Sequence, residues 1–136
     1  MLALPFEELE LNDAWIEGDD TARWRSAGGH SPSEGSQDSG SSVLEVDPGH
    51  RLPRHTDSGE ETIVVVAGTA EVEVAGETAR LGPGGQALVP TDVPHQVHNV
   101  GSDTLRFIAV YASPDIVTTY EQPVQPDGSR ERHTVS

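Results

Sequence analysis

Four side chains that could bind a metal ion occur at informative spacing in the sequence. His55 and Asp57 are two residues apart, so in an extended strand both side chains point to the same face. Glu61 follows a short turn and begins an apolar strand, from which its carboxylate can reach back towards the same point. His95 opens a later strand behind a proline-containing turn. The spacing therefore allows one interior site with four donors.

Two imidazoles and two carboxylates suit one divalent transition metal ion, namely Mn²⁺, Fe²⁺, Co²⁺, Ni²⁺ or Zn²⁺. The two anionic oxygens favour the harder ions of this group, and open coordination positions would remain for water, oxygen or a substrate. The chain has no cysteine, so thiolate ligands are excluded. Spacing alone leaves a second interpretation open, because His-x-Asp pairs occur by chance in loops and a single histidine often lies hydrogen-bonded at a surface.

The elements that must position these residues are predicted to be strands. After residue 42, short runs of Val, Ile, Leu and Thr are broken by Gly, Pro and Asp every eight to twelve residues, as in an all-β sandwich or barrel. We expect residues 62–67 and 70–75 to pair as a hairpin through the turn at Gly68 and Thr69. The complete set of expected strands is 43–46, 62–67, 70–75, 78–81, 86–89, 95–100, 105–111 and 116–120.

The flanking regions are expected to contribute less to the barrel. Residues 1–42 would form an N-terminal arm, with a helix or strand packing on the core or only partial order, and a mobile Gly/Ser-rich loop at 27–42 in which His30 is solvated. Residues 43–120 would be the barrel core. Residues 121–136 would be a flexible tail, or a segment that lies across a neighbouring subunit.

The acidic composition excludes some classes of partner. The chain has eight basic and 23 acidic residues and a net charge of -15, which repels nucleic acids and anionic membrane surfaces. The N-terminus lacks the features of a signal peptide, and no apolar run is long enough to cross a membrane. We therefore expect a cytoplasmic protein with no nucleic-acid or membrane partner.

The segment around the first three ligands resembles a known motif. The run GHRLPRHTDSGEETIVVVAG, which begins at Gly49, is similar to the first motif of the cupin family, where Gly, two His, Glu and Gly recur at fixed spacing. Gly49, His55, Glu61 and Gly68 fall in register with that motif. Asp57 stands where the family usually has its second histidine.

The segment around the fourth ligand resembles the second cupin motif. The run GGQALVPTDVPHQVHN matches this motif at Gly84, Pro90, His95 and Asn99, and has Asp92 in place of a glycine. Aspartate tolerates tight-turn geometry almost as well as glycine, so this departure costs little.

Together the two motifs imply a cupin double-stranded β-helix, a jelly-roll barrel with the metal inside. The resemblance implies that His55, Glu61 and His95 are metal ligands. Asp57 departs from the pattern and could bind directly, bind through water or act as a base beside the metal. It could also be a solvated loop carboxylate in a site that has lost its metal.

The fold does not define a reaction, because cupins include dioxygenases, isomerases, lyases and sugar-binding modules. The resemblance implies a metal-dependent enzyme of one of the first three types, with the dioxygenase type favoured, that acts on a small oxygen-rich or aromatic molecule. Glu61 and Asp57 are then the candidate catalytic residues. The alternative is a non-catalytic module that binds a metal or a small ligand. Arg106, taken with the histidines and Asp57, also gives a weaker resemblance to the iron and 2-oxoglutarate oxygenases.

Three further expectations concern faces and partners. His98 lies three residues after His95 and should face away from the metal. Val64, Val66, Val72, Val74 and Val97 should line a dry interior. The strands at 43–46 and 105–111 carry more apolar residues than one small core needs, so we expect a homodimer.

Overall fold

The computed structural model describes residues 1–133, and these form a barrel of twelve strands. Two short 3-10 turns, Phe6–Glu8 and Pro32–Glu34, are the helical elements of the described chain. The strands are β1 (Asn12–Ile16), β2 (Asp19–Gly28), β3 (Gly40–Val46), β4 (Arg51–Asp57), β5 (Glu61–Ala67), β6 (Ala70–Val74), β7 (Glu77–Leu81), β8 (Gln86–Val89), β9 (His95–Asn99), β10 (Leu105–Tyr111), β11 (Val117–Val124) and β12 (Ser129–His133).

The strands form two facing sheets. The first sheet has the order β1-β2-β3-β10-β5-β8, and the second has the order β7-β6-β9-β4-β11-β12. The two sheets join where β2 also pairs in parallel with β4, at Ala22 and Arg51. This arrangement is the predicted double-stranded β-helix. No helix among residues 1–133 is long and apolar enough to cross a membrane.

The core fills the space between the sheets. Side chains alternate between the interior and the outside along each strand, as in β10, where Leu105, Phe107 and Ala109 are buried. Aliphatic side chains from β5, β6 and β9 meet them from both sheets. Trp24 of β2 is 5% exposed and stacks on Tyr120 of β11, with 5.3 Å between ring centroids.

The predicted hairpin between residues 62–67 and 70–75 is wrong. β5 pairs with β10 and β8, whereas β6 pairs with β7 and β9. The chain therefore crosses from one sheet to the other at Gly68. Gly68 has a φ of +85°, and a Cβ there would lie 2.9 Å from the Cα of Leu105. The crossing thus requires glycine, and the turn signal in the sequence marked a change of sheet.

The predicted interior is correct on β6 and β9 but displaced by one residue on β5. Val72 and Val97 are buried and Val74 packs against the core. On β5, however, the buried positions are Ile63 and Val65, while Val64 is half-buried and Val66 is 44% exposed. The reason is the period of two: a strand whose first residue, Glu61, faces inward must also turn residues 63 and 65 inward.

The flanking regions hold more structure than the sequence suggested. β1 and β2 belong to the first sheet, so the strand interpretation of the N-terminal arm is correct. The loop expected at 27–42 is shortened from both ends by β2 and β3. In that loop His30 is half-buried and contacts two hydroxyls, with Nδ1 2.9 Å from Ser41 Oγ and Nε2 3.1 Å from Ser39 Oγ.

The segment predicted as a C-terminal tail forms a hairpin. β11 runs past the expected boundary at residue 120 and pairs with β12, and β11 also pairs with β4. The hairpin therefore extends the second sheet next to the strand that carries His55 and Asp57. Residues 134–136 of the predicted tail lie outside the described residues.

Candidate metal centre

Three of the four predicted ligands lie on the inner face of the second sheet. His55 and Asp57 come from β4, His95 begins β9, and His55 pairs directly with His95 across the two strands. A register shift between Leu52 and His55 moves the alternation by one residue, so that Leu52, His55 and Asp57 are all buried. The expectation that His55 and Asp57 share a face is confirmed.

The fourth predicted ligand, Glu61, reaches the same point from the first sheet. A three-residue turn after Asp57 carries the chain to β5, which begins with Glu61. Glu61 Oε1 lies 3.0 Å from His95 Nε2, and Asp57 Oδ2 lies 3.1 Å from the same nitrogen. The donor atoms of His55, Asp57 and His95 all lie within 4.8 Å of one another. These three residues form a group that could hold a metal ion.

Backbone carbonyl groups orient both histidines. The Nδ1 atom of His55 lies 2.7 Å from the carbonyl oxygen of Pro53, and that of His95 lies 2.8 Å from the carbonyl oxygen of Val93. A carbonyl oxygen only accepts hydrogen bonds, so Nδ1 carries the proton in each ring. In the neutral ring this leaves the Nε2 lone pair directed at the centre, which is the tautomer that a metal ligand needs.

Several buried polar atoms at the centre have no hydrogen-bond partner. Among the described residues, these atoms are Asp57 Oδ2, Glu61 Oε1 and His95 Nε2. The whole side chains are 2%, 4% and 0% exposed. Buried polar atoms are normally paired, and an unpaired cluster of acceptors is expected where a cation binds. The donors present therefore fit a divalent ion.

The protonation states at the centre follow from burial and from the proximity of the groups. Burial lowers the pKa of His55 to about 4, and the nearby His95 adds to this effect. Burial also raises the pKa of Glu61 to about 7, although contact with His95 opposes it. Burial alone would lower the pKa of His95, but the Asp57 and Glu61 carboxylates outweigh it and raise that pKa to about 10. A proton on His95 thus lies between two carboxylates, where positive charge is stabilised.

Asp57 is held in a different way from Glu61. Burial opposes its ionisation, but contacts with His95, the charge of His55 and a hydrogen bond from Thr118 together keep its pKa below the usual value. Thr118 Oγ1 donates this hydrogen bond to Asp57 Oδ1 over 2.5 Å. The backbone N–H of Asp92 donates a hydrogen bond to the backbone carbonyl oxygen of Asp57. Asp92 is the residue that replaces a motif glycine, and its φ is +60°. Asp57 is thus a buried, well-positioned carboxylate and not a solvated loop residue.

Two residues next to the centre were missed by the sequence reasoning. Thr118 pairs across the sheet with Asp57, and Tyr120 pairs with His55. The ring centroids of Tyr120 and His55 are 5.0 Å apart. The sequence does carry a signal for them: Thr118 and Tyr120 are two residues apart in a predicted strand, so their side chains share one face of it.

A cavity of about 250 Å³ lies beside the centre, between the N-terminal strands and the C-terminal hairpin. The rings of Trp24, Tyr111 and Tyr120 form part of its wall, together with the Thr118 side chain. Tyr111 pairs in register with Glu61, so the wall of the cavity is one residue away from the donors. The cavity is therefore a space for a small molecule next to the centre.

Two other residues singled out in the sequence lie away from the centre. His98 is on the outer face of β9, as predicted. Arg106 also faces outward, where it forms an ion pair with Glu45 at 2.9 Å and its guanidinium lies 3.6 Å from the Phe6 ring centroid. It cannot reach a ligand inside the barrel, so the likeness to the 2-oxoglutarate oxygenases finds no support in the geometry.

Comparison with solved structures shows the same fold in other proteins. A predicted oxalate decarboxylase from Thermotoga maritima superposes with a TM-score of 0.71 at 17% identity, covering 82% of this chain and 99% of that one. The polyketide cyclase RemF from Streptomyces resistomycificus gives 0.65 at 23% identity, covering 82% and 78%. A conserved Streptococcus pyogenes protein of unknown function gives 0.56 at 25% identity, covering 67% and 75%.

Sequence comparison gives the family. No curated protein matches the chain significantly. The family model described as "Cupin domain" (Cupin_2) matches residues 42–111, which include both motifs and every donor of the centre. With half of its length covered by this match, and with a double-stranded β-helix around the matched strands, the chain belongs to the cupin family.

Proposed function

We propose that the chain binds one divalent transition metal ion through His55, Asp57, Glu61 and His95. The observation that carries this proposal is the cluster of buried, unpaired atoms on three of these side chains. The fourth, His55, presents its Nε2 atom to the same point, 3.8 Å from Asp57 Oδ2. Two nitrogens and two carboxylate oxygens suit Fe²⁺, Mn²⁺, Ni²⁺ or Zn²⁺.

We propose further that the chain is a metal-dependent enzyme of the dioxygenase, isomerase or lyase type. A bound ion supplies Lewis-acid or oxygen-binding chemistry at such a site. The aromatic cavity walled by Trp24, Tyr111 and Tyr120 would accept a small oxygen-rich or aromatic molecule, because flat rings favour planar ligands and the hydroxyls beside them offer hydrogen bonds.

The two carboxylates have different roles in this proposal. Glu61 has a pKa of about 7 before an ion binds, because of its burial. A carboxylate with such a pKa exchanges protons readily near neutral pH, which suits a general acid or base. Asp57, whose pKa is below the usual value, stays ionised and contributes fixed negative charge. In this proposal the Glu61 carboxylate is the group that would accept a substrate proton.

One observation favours a second function, a non-catalytic module that binds a metal or a small ligand. All four donor side chains are at most 4% exposed. Tyr111, Thr118 and Tyr120 line the cavity, whereas none of the four donor residues lines it. An ion held behind such a wall would stabilise the barrel without meeting a substrate.

Elemental analysis of the purified protein tests the metal proposal. We expect close to one equivalent of Fe, Mn, Ni or Zn per chain, present on purification or after reconstitution. His95→Ala should lose most of this metal, because it removes the donor that contacts both carboxylates. His98→Ala, a histidine on the outer face of the same strand, is the matched control. Less than about 0.1 equivalent in the reconstituted protein would refute the proposal.

Relaxation of solvent protons by the Mn²⁺-loaded protein separates the two functions. A bound ion with an open coordination position exchanges water and speeds the relaxation of bulk solvent protons. A structural ion behind a closed wall has no exchanging water and leaves the relaxation rate near that of the Zn²⁺-loaded protein. The first result supports an enzyme, and the second supports the binding module.

We also propose that the chain forms a homodimer through the outer face of the first sheet. Val66, Leu88 and Val110 are 44%, 61% and 39% exposed on β5, β8 and β10, three strands that lie side by side. Light scattering should give twice the 14.5 kDa chain mass. Leu88→Glu should shift the protein towards monomer, because it places a charge in the apolar contact. Val100→Glu, at the residue that follows β9 in the second sheet, should leave the dimer intact. A monomeric wild type would disprove the dimer.

A further inference from the structure

The C-terminal hairpin places two buried side chains directly over two of the proposed ligands. β11 runs antiparallel to β4, so that Thr118 pairs with Asp57 and Tyr120 pairs with His55. Both pairs lie on the inner face of the second sheet, where cross-strand neighbours touch. Thr118 is 8% exposed and Tyr120 is 6% exposed. The hairpin is therefore part of the wall around the centre.

The contact between Thr118 and Asp57 distinguishes the two carboxylate oxygens. Thr118 Oγ1 lies 2.5 Å from Asp57 Oδ1, whereas Asp57 Oδ2 has no hydrogen-bond partner and lies 3.1 Å from His95 Nε2. A threonine hydroxyl can donate one hydrogen bond, and Asp57 Oδ1 accepts it here. One oxygen is thus engaged by the protein, while the other is directed at the centre.

We infer that Thr118 is a positioning residue that restricts Asp57 to binding the ion through Oδ2 alone. The inference rests on the proposed metal function and adds a residue that the family resemblance does not assign. A carboxylate with both oxygens free can rotate and bind an ion through two atoms. The short bond to Thr118 holds the carboxylate plane and removes Oδ1 from the donor set. Asp57 occupies the motif position where the family usually has a histidine, whose imidazole would offer the ion a single donor atom. An aspartate has two oxygens, so a contact that engages one of them leaves a single donor atom at this position.

The same side chain links the centre to the cavity. Thr118 lines the cavity beside Tyr111 and Tyr120, and its hydroxyl proton points away from the cavity, towards Asp57. A ligand in the cavity could therefore contact the methyl group of Thr118 and the lone pairs of its hydroxyl oxygen. Asp57 itself does not line the cavity. A molecule bound there would therefore meet Asp57 through Thr118, with the carboxylate already fixed.

Substitution of Thr118 in the full-length protein, titrated with Co²⁺, tests the inference. Thr118→Val keeps the shape of the side chain and removes the hydroxyl, whereas Thr118→Ser keeps the hydroxyl. Thr119→Val makes the same change on the neighbouring residue of β11, which faces the outer side. Three quantities are measured for each variant: the Co²⁺ dissociation constant, the visible absorption spectrum at saturation, and the unfolding temperature without metal.

We expect Thr118→Val to bind Co²⁺ at least about tenfold more weakly than the wild type, as is usual when a hydrogen bond to a metal ligand is lost. Its Co²⁺ spectrum at saturation should change, because Asp57 can then offer both oxygens and alter the coordination number. Thr118→Ser and Thr119→Val should keep the wild-type spectrum, with affinities within about threefold of the wild type. A spectral change separates positioning from general stabilisation, which moves the unfolding temperature alone.

The outcomes also separate this inference from the proposed function. If the wild type binds no Co²⁺, the metal proposal itself is wrong. If the wild type binds Co²⁺ and Thr118→Val keeps the wild-type spectrum at saturation, the metal proposal stands and the role of Thr118 is overturned, whether or not the affinity falls. Should Thr118→Val not fold, Thr118→Ala makes the same test, and a wild-type spectrum of that variant would equally overturn the inference.

Discussion

Replacing Glu61 with glutamine should raise the stability of the metal-free protein and reduce the stabilisation that a bound metal ion supplies. The side chain is 4% exposed and lies near a second buried carboxylate, Asp57. Burial raises the pKa of Glu61 from 4.5 to about 7. The folded protein therefore binds a proton at Glu61 that the unfolded chain releases, and its stability from this group falls as the pH rises from about 4.5 to 7. Glutamine has the same size and no charge, so it removes this penalty.

The magnitude follows from the shift in pKa. At pH 8 the penalty for ionised Glu61 is on the order of 1–3 kcal/mol, and metal-free Glu61→Gln should be more stable than the wild type by about that amount. Near pH 5 the two proteins should differ little. With an ion at 100 times the wild-type dissociation constant, the wild type gains about 2.7 kcal/mol, while a variant that binds about 100-fold more weakly gains less than about 0.5 kcal/mol. The advantage of Glu61→Gln should then shrink by about 2 kcal/mol, and the order of stability reverses where the penalty at pH 8 is at the lower end of the stated range.

Urea unfolding at pH 5 and pH 8, with and without Mn²⁺, measures both effects. The two proteins are compared at each pH, because His55 and His95 also contribute to the pH dependence and the pKa of His95 is raised in part by Glu61. Glu60→Gln, which changes the exposed carboxylate next to Glu61, is the matched control and should follow the wild type throughout. If Glu61→Gln is less stable at pH 8 without metal, or gains as much from Mn²⁺ as the wild type, the reasoning about this carboxylate is refuted.

Two further predictions concern the scaffold. Gly68→Ala should lower the free energy of unfolding by about 2–4 kcal/mol, because it adds a backbone clash to an unfavourable φ. Gly76→Ala, where φ is +83° and the space is open, should cost only about 1 kcal/mol, and equal losses in urea unfolding would contradict the sheet-crossing role of Gly68. Hydrogen bonds from Arg51 and Thr21 hold the pKa of Asp19 at about 2, so this group stabilises the fold above about pH 4 and loses its effect as the pH falls to 2. Asp19→Asn should therefore be less stable than the wild type at pH 6 by less than about 1 kcal/mol, since the pair is partly exposed, and a gap that does not narrow by pH 2 would contradict the ion pair.

The candidate centre could be predicted from sequence because its signals are local. His55 and Asp57 share a strand face by the period of two, and the motif resemblance related them to Glu61 and His95. The structure brings these four side chains to one point. Residue type and spacing indicated the group and the motif resemblance selected it over the alternative of chance spacing, since each donor lies at or near the end of a strand with a recognisable turn beside it.

Pairing between distant strands could not be predicted in the same way. The turn at Gly68 marks a crossing between sheets, and nothing local distinguishes such a crossing from a hairpin. Thr118 was missed for a related reason, because its partner Asp57 is 61 residues away and only the sheet order joins them. The error on β5 was avoidable, since an inward Glu61 already implied that Val64 faces outward.

The origin of the donors in both sheets has a consequence for the kinetics of folding. Glu61 belongs to the first sheet, whereas His55, Asp57 and His95 belong to the second. The four-donor set is therefore complete only after the two sheets have closed on each other. An ion that binds the closed barrel would slow its opening and leave the rate of closing unchanged. The metal would then act on the lifetime of the folded protein, lowering the rate at which its interior opens to proteases and to aggregation.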